Sequence, residues 1–260
     1  MKNAAVFTIS HNENVWLPVW VRHYTRQGFD PTDIYVLDHM SKDGSTMRQQ
    51  GCHRMLVDHD TQWDHKWLVA TVEHFQKKLL EKYDYVVFTA TDEYICVDPS
   101  ARISLRDFLN KLNVDVVGVP CFNVVHDVLH NEPALNTDKP ILAQRSLWMG
   151  PLPGKPLISR INQNFSIGFN ACEQSSFEMP VLRVVHTRWA DRDIMIRRIL
   201  SRLGKDSGDS TSLGYNNRNK CPEYHVKELL GMLEDPCDHT QRNPTQKLHS
   251  ITSCWKAITI

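Results

Sequence analysis

Two acidic clusters in the first hundred residues have the side chains needed to hold phosphates, hydroxyls and hard cations. Asp38-His39-Met40-Ser41-Lys42-Asp43-Gly44-Ser45-Thr46 and Thr89-Ala90-Thr91-Asp92-Glu93-Tyr94 each close a short apolar run. The carboxylate of Asp38 can accept two protons from the ribose or base of a nucleotide. Asp43-Gly44 beside it marks a turn, and the two roles are compatible. Adjacent carboxylates at Asp92 and Glu93 suit a hard divalent cation that takes oxygen ligands and shares its shell with water and phosphate. A solvated turn or a helix-capping acid is the other use of such a pair. His126 and His130 stand four apart with Asp127 between them, a spacing that on a helix holds zinc. The usual acid there is Glu, no helical periodicity surrounds the segment, and among thirteen His residues such a pair arises by chance.

The elements that must position these groups follow from apolar periodicity. Ala4 to Ile9 reads as a strand, followed by a helix capped by Asn12 or Asn14, carrying Val15, Trp16, Val19, Trp20 and Tyr24 and closed by Gly28. Asp33 to Leu37 and Arg54 to Val57 read as strands, Lys66 to Tyr83 as an amphipathic helix, and Tyr85 to Thr89 as a fourth strand. Strands alternating with helices pair in parallel through right-handed crossovers, so their carboxyl ends share one rim. Ser10 to Glu13, Asp38, Asp58 and Asp92-Glu93 then gather at the edge where open α/β sheets bind ligands.

Further on, Ser104 to Asp107 reads as a helix start and Val114 to Val119 as a strand. Residues 130 to 165, rich in proline, read as a long loop region or short antiparallel strands. Phe165 to Phe169 and Val181 to Val185 read as strands, Asp191 to Leu203 as a helix, and Pro222 starts a last helix reaching about Leu233. One domain is expected over residues 1–203, with a nucleotide half (1–97) and an acceptor half (98–203). Residues 204–260 are expected to hold a mobile polar loop over 204–220 and a C-terminal helical extension.

Composition narrows the function class. The 260 residues carry 30 basic and 30 acidic side chains, so no overall field draws the protein to nucleic acid or an anionic membrane, and any anion site must be local. No run is long and uncharged enough for an integral membrane segment, and the N-terminus lacks the pattern of a signal peptide. Seven cysteines without Cys-x-x-Cys spacing fit free thiols in a cytoplasmic protein better than a disulfide frame. Neither a Gly-rich dinucleotide fingerprint nor a P-loop is present.

The segments Phe7-Thr8-Ile9-Ser10-His11-Asn12-Glu13, Trp20-Val21-Arg22-His23-Tyr24, Gln27-Gly28-Phe29-Asp30, Ile34-Tyr35-Val36-Leu37-Asp38 and Ser41-Lys42-Asp43-Gly44-Ser45 together resemble family 2-type glycosyltransferases. The resemblance is to the subgroup whose acidic motif reads Asp-x-Asp-Glu-Phe. It is dense over residues 4 to 97 and thinner to about 200, where Lys155-Pro156-Leu157-Ile158, Ser166-Ile167-Gly168-Phe169-Asn170 and Val184-Val185-His186 continue it. It implies a GT-A-like fold, an α/β architecture with a mixed, mainly parallel sheet flanked by helices. It also implies a nucleotide-diphosphate sugar donor, a glycan or other hydroxyl acceptor, and Mn2+ or Mg2+ bridging the diphosphate to the acidic motif. Here that motif is Ala90-Thr91-Asp92-Glu93-Tyr94, so its first carboxylate is missing and Asn170 stands where His is common. A non-catalytic sugar-nucleotide or glycan-binding protein is the alternative these departures suggest.

The expected site follows. Ser10, His11, Asn12, Glu13, Asp38, Ser41 and Lys66 serve the nucleotide, and Asp92, Glu93 and His186 serve the cation. The base must come from the acceptor half in an inverting transfer, with Glu173 first and Asp191 and Asp127 in reserve.

Overall fold

The computed structural model describes residues 3–59, 64–203, 221–234 and 247–260. The expected loop over 204–220 lies outside the described residues. Ten strands form one mixed sheet: β1 (Ala4–Ser10), β2 (Ile34–Asp38), β3 (His53–Leu56), β4 (Tyr85–Phe88), β5 (Glu93–Val97), β6 (Val116–Val125), β7 (Leu147–Ser159), β8 (Phe177–Glu178), β9 (Leu182–Trp189) and β10 (Lys247–Ser250). The order is β3-β2-β1-β4-β7-β6-β9-β5, with β10 on β7 and β8 on β6. β3, β2, β1 and β4 run parallel, as the alternation of strands and helices predicts. From β7 onward antiparallel pairs enter, giving the mixed α/β sheet with flanking helices expected from the sequence.

The helices are α1 (Trp16–Arg26), α2 (His65–Leu80), α3 (Leu105–Lys111), α4 (Arg192–Arg202), α5 (Pro222–Glu234) and α6 (Ser253–Lys256). Alternation along β1 sorts its side chains between two cores. Ala4 and Val6 pack with Trp16, Trp20 and Tyr24 of α1, whereas Ala5 and Phe7 face Val72, Phe75 and Leu79 of α2. Gly28, at φ +87°, ends α1: its N–H reaches Thr25 O, the Phe29 N–H reaches Tyr24 O, and the Phe29 ring packs on Tyr24. That is the two-bond left-handed helix stop with its apolar contact. The start of α1 differs from expectation. No asparagine caps it, and Glu13 Oε1 accepts the Trp16 N–H at 3.3 Å.

Two further expectations are corrected. Residues 147–159, expected to be loop or short strands, form the long central strand β7, and the register with β6 shifts along the segment carrying Pro151, Pro153 and Pro156. Such irregularities let proline enter a sheet interior without breaking a regular ladder. Phe165 to Phe169 is a turn closed by a single bridge between Phe165 and Cys172, with Gly168 and Phe169 at positive φ. Among the described residues no helix is long and apolar enough to cross a membrane.

His23 shows how tightly α1 seats on the sheet. Its Nε2–H donates to Ile95 O at 2.9 Å, and burial lowers its pKa to about 4. An unfolded imidazole near 6.5 then binds a proton that the folded one refuses, so stability falls as pH drops from about 6.5 to about 4. The expected loss is up to about 3 kcal/mol. Urea melts at stepped pH check this, and His23→Gln, which keeps a donor to Ile95, should flatten the slope across that window.

Candidate functional site

A cleft of roughly 330 Å³ opens at the carboxyl ends of β1 and β4, walled by β9 and α4. Parallel register places Ser10 beside Asp38 at the ends of β1 and β2. The chain leaves β4 through Thr89-Ala90-Thr91-Asp92 and turns into β5, where Glu93 pairs with His186 of β9. Asn123 of β6 pairs with His186 from the other side. Ser10, His11, Glu13, Asp92 and His186 line the cleft, whereas Asn12, Asp38, Asp58 and Glu93 of the expected rim do not.

Its electrostatics centre on Arg198, from α4. Its Nη1 donates to Asp92 Oδ2 at 2.6 Å, while Nη2 and Nε reach Glu13 Oε2 at 2.8 and 3.0 Å. Burial alone would raise the Asp92 pKa, but Arg198, joined by His186 when its ring is charged, more than offsets it and holds the carboxyl well below the usual range. Burial works against the Arg198 charge as well, and Asp92 and Glu13 overcome it and raise its pKa. One helical turn on, Arg202 also lines the cleft, and its pKa falls to about 10 through burial and repulsion from Arg198. Arg188, two residues beyond His186 and on the same face of β9, also lines the cleft, but its guanidinium reaches His225 Nδ1 at 3.4 Å and lies over the Trp189 ring.

Glu93 faces another cation. Its Oε1 pairs with Lys155 Nζ, which more than offsets burial and lowers its pKa. His186 Nδ1 donates to Asn123 Oδ1 at 2.7 Å, so in the neutral ring Nε2, 3.7 Å from Asp92 Oδ2, carries the lone pair, and only the ring protonated on both nitrogens pairs with that carboxylate.

Asp38 is placed differently from the expected nucleoside contact. It is fully buried and its oxygens are taken by Thr46 Oγ1 at 2.7 Å, Arg54 at 2.6 Å and the Ser41 N–H at 2.9 Å. It organises the 38–46 turn and does not line the cleft. Asn12, at φ 50°, joins the same turn by accepting the Lys42 and Asp43 N–H groups, and Ser41 Oγ accepts the Asn12 N–H. Lys66 lies on the exposed side of the first turn of α2, outside the cleft lining. Two buried polar atoms at the nucleotide side, Ser10 Oγ and His39 Nε2, have no hydrogen-bond partner among the described residues, and both residues line the cleft. An unpaired buried donor or acceptor is costly unless a ligand or water completes it.

None of the three acids chosen as bases lines the cleft. Asp191 caps α4 by accepting the Asp193 and Ile194 N–H groups, and its other oxygen accepts from Leu135 N and lies 3.4 Å from Arg145. Asp127 forms a turn with His130, 2.8 Å from its Nδ1. Glu173 is exposed and accepts from Asn164 Nδ2 at 2.7 Å, although its loop contributes Gly168 and Phe169 to the cleft wall. The His126–His130 pair does not converge: His126 bonds the Glu132 carbonyl and the Arg192 N–H. Among the described residues no three His, Cys, Asp or Glu side chains cluster to hold a metal ion. As arranged, Asp92 and Glu93 already hold an arginine and a lysine, and they do not fit the bridging cation that the sequence resemblance implies.

Sequence reasoning missed His39, Arg188, Arg198 and Arg202. His39 directly follows a strand end, and Arg198 and Arg202 stand four apart on one helix face, so spacing alone held a signal for all but Arg188.

No protein family and no curated protein matches the sequence. Solved structures to which the chain is similar include S. aureus TarS, at 14% identity and a TM-score of 0.41, covering 94% of this chain and 44% of that one. S. aureus TarS 1-349 in complex with UDP gives 14% identity and a TM-score of 0.43, over 93% of this chain and 73% of that one. The mannosyltransferase PcManGT from Pyrobaculum calidifontis, in complex with GDP-Man and Mn2+, gives 14% identity and a TM-score of 0.40, over 76% and 61%. This chain thus spans less than half of TarS, and likenesses this distant do not identify its family.

Proposed function

We propose that the protein is a GT-A-type glycosyltransferase that moves a sugar, with inversion, from a nucleotide-diphosphate sugar to a hydroxyl acceptor. The observation that carries this reading is the cleft itself. Ser10 and His39, whose Oγ and Nε2 are buried without a partner, line it together with Arg198 and Arg202, a set suited to a nucleoside joined to a diphosphate. The motif resemblance over residues 4 to 97 supports the same class.

In this reading His186 is the base. Its Nε2 lies in the cleft on the acceptor half, its tautomer is set by Asn123, and Asp92 is placed to stabilise the imidazolium. The acceptor oxygen attacks the anomeric carbon as its proton passes to Nε2. The bond from that carbon to the diphosphate oxygen breaks, and the electron pair leaves with the diphosphate. Glu173 is the alternative base, because its loop reaches the cleft. Glu173→Gln is expected to keep turnover within about threefold of wild type, whereas a loss of the 10² or more typical of a general base would move the role to Glu173. An odd number of cysteines, seven, without Cys-x-x-Cys spacing is the ground for proposing a cytoplasmic setting.

The test is a panel of nucleoside-diphosphate sugars with glycan and simple alcohol acceptors, reading released nucleoside diphosphate and glycosylated product. Acceptor-dependent release from one donor supports the enzyme. Donor binding without release across the panel would leave a sugar-nucleotide-binding protein, the reading favoured by Ala90.

A further inference from the structure

We propose that the cleft neutralises the donor diphosphate with the guanidinium groups of Arg198 and Arg202, in the place of a bridging divalent cation. This rests on the glycosyltransferase reading above and assigns its phosphate chemistry.

The carboxylates that would hold a cation are committed elsewhere. Asp92 Oδ2 accepts from Arg198 at 2.6 Å, Glu13 Oε2 accepts from the same guanidinium, and Glu93 is paired with Lys155. The acidic motif has already lost one ligand at Ala90. A hard cation needs about six oxygens, and one bound at Asp92 would lie against Arg198 and face like-charge repulsion.

The spacing on α4 points the same way. Arg198 and Arg202 are one turn apart on one face, an arrangement of like charges that destabilises a helix and costs more when both are buried. Asp92 and Glu13 act on both arginines, but at Arg202 burial and the Arg198 charge outweigh them. A diphosphate seated between them would relieve that repulsion. Arg198 donates one N–H from each terminal nitrogen to the acids, which leaves the second N–H on each for a phosphate oxygen. The planar fork matches phosphate oxygens two at a time, so arginine suits this task better than lysine.

The test is calorimetric titration of UDP, GDP, CDP and ADP in excess EDTA and in excess MnCl2 or MgCl2. The nucleoside diphosphate that binds should do so with a Kd that differs by less than about threefold between these buffers. Arg202→Gln should weaken it roughly 10- to 100-fold in both, and Arg202→Lys should recover part of the loss. Asp92→Asn should keep binding in EDTA, because the amide oxygen still accepts from Arg198 while the charge on that arginine is less compensated. This variant carries the test if Arg202→Gln does not give a cooperative thermal melt by circular dichroism. Binding that requires Mn2+ or Mg2+ and disappears in Asp92→Asn overturns the arginine assignment and leaves the donor reading intact. Failure of all four nucleotides to bind in either buffer overturns both.

Discussion

His186→Gln is expected to lower turnover by about 10² to 10⁴ while leaving nucleoside-diphosphate affinity within about threefold of wild type. The ring sits between two strands that hold it by register, with Glu93 opposite on β5 and Asn123 opposite on β6. Glutamine keeps a polar group of similar reach in the cleft but cannot take a proton at neutral pH. Single-turnover measurements with saturating donor separate this chemical defect from binding. A matching loss of nucleoside-diphosphate affinity would instead make His186 part of the donor site, and unchanged turnover would remove it from the reaction.

The largest stability effect is expected at Trp20. Its ring is fully buried in the core under β1, and its Nε1–H donates to Thr89 Oγ1 at 2.8 Å. The same hydroxyl meets Tyr24 OH at 3.1 Å, and Tyr24 OH accepts the Ile95 N–H. Helix α1 is therefore bonded to the segment that carries Ala90 to Asp92 into the cleft. Trp20→Ala leaves a large cavity and a buried hydroxyl short of its donor, so about 3–5 kcal/mol of stability is lost. For a chain this size, a fall in Tm on the order of 10 °C follows. Trp20→Phe refills most of the volume and loses chiefly the hydrogen bond, about 1 kcal/mol. Equal destabilisation by both variants would show that the bond, and not the packing, dominates. Differential scanning calorimetry of the two variants decides between them.

The half of the fold that carries β1 to β4 was legible because its apolar runs alternate cleanly with amphipathic helices. β7 was hidden by its prolines, which mark turns by local rules and here sit in a central strand whose register with β6 shifts along the way. β5 was hidden for another reason. It starts at Glu93 itself, so the acidic pair that ends one apolar run also opens the next strand. At the site, Ser10, His11, Glu13 and Asp92 were identifiable because topology alone brings strand ends together, whereas His186, expected just past a strand ending at Val185, lies within β9, which runs on to Trp189. What those groups bind was not identifiable. Asp38 and Asp191 look like available acids in sequence and are consumed in the fold, by Arg54 and Thr46 in one case and by the start of α4 in the other. Arg198 and Arg202 look like ordinary exposed helix arginines until the helix is laid across the rim.

The ion pairs of Arg198 also set when the cleft can form. They join residues 185 positions apart at Glu13 and 106 apart at Asp92. Contacts this distant in sequence form late, because the loop they close must first be ordered by nearer contacts. On a growing chain the β1 to β4 layer can assemble long before α4 emerges, and until then Glu13 and Asp92 are neighbouring acids without their counter-charge. Arrival of α4 supplies that charge and one wall of the cleft in the same step. A polypeptide that stops short of Arg198 lacks that wall of the cleft and leaves Glu13 and Asp92 without their shared arginine.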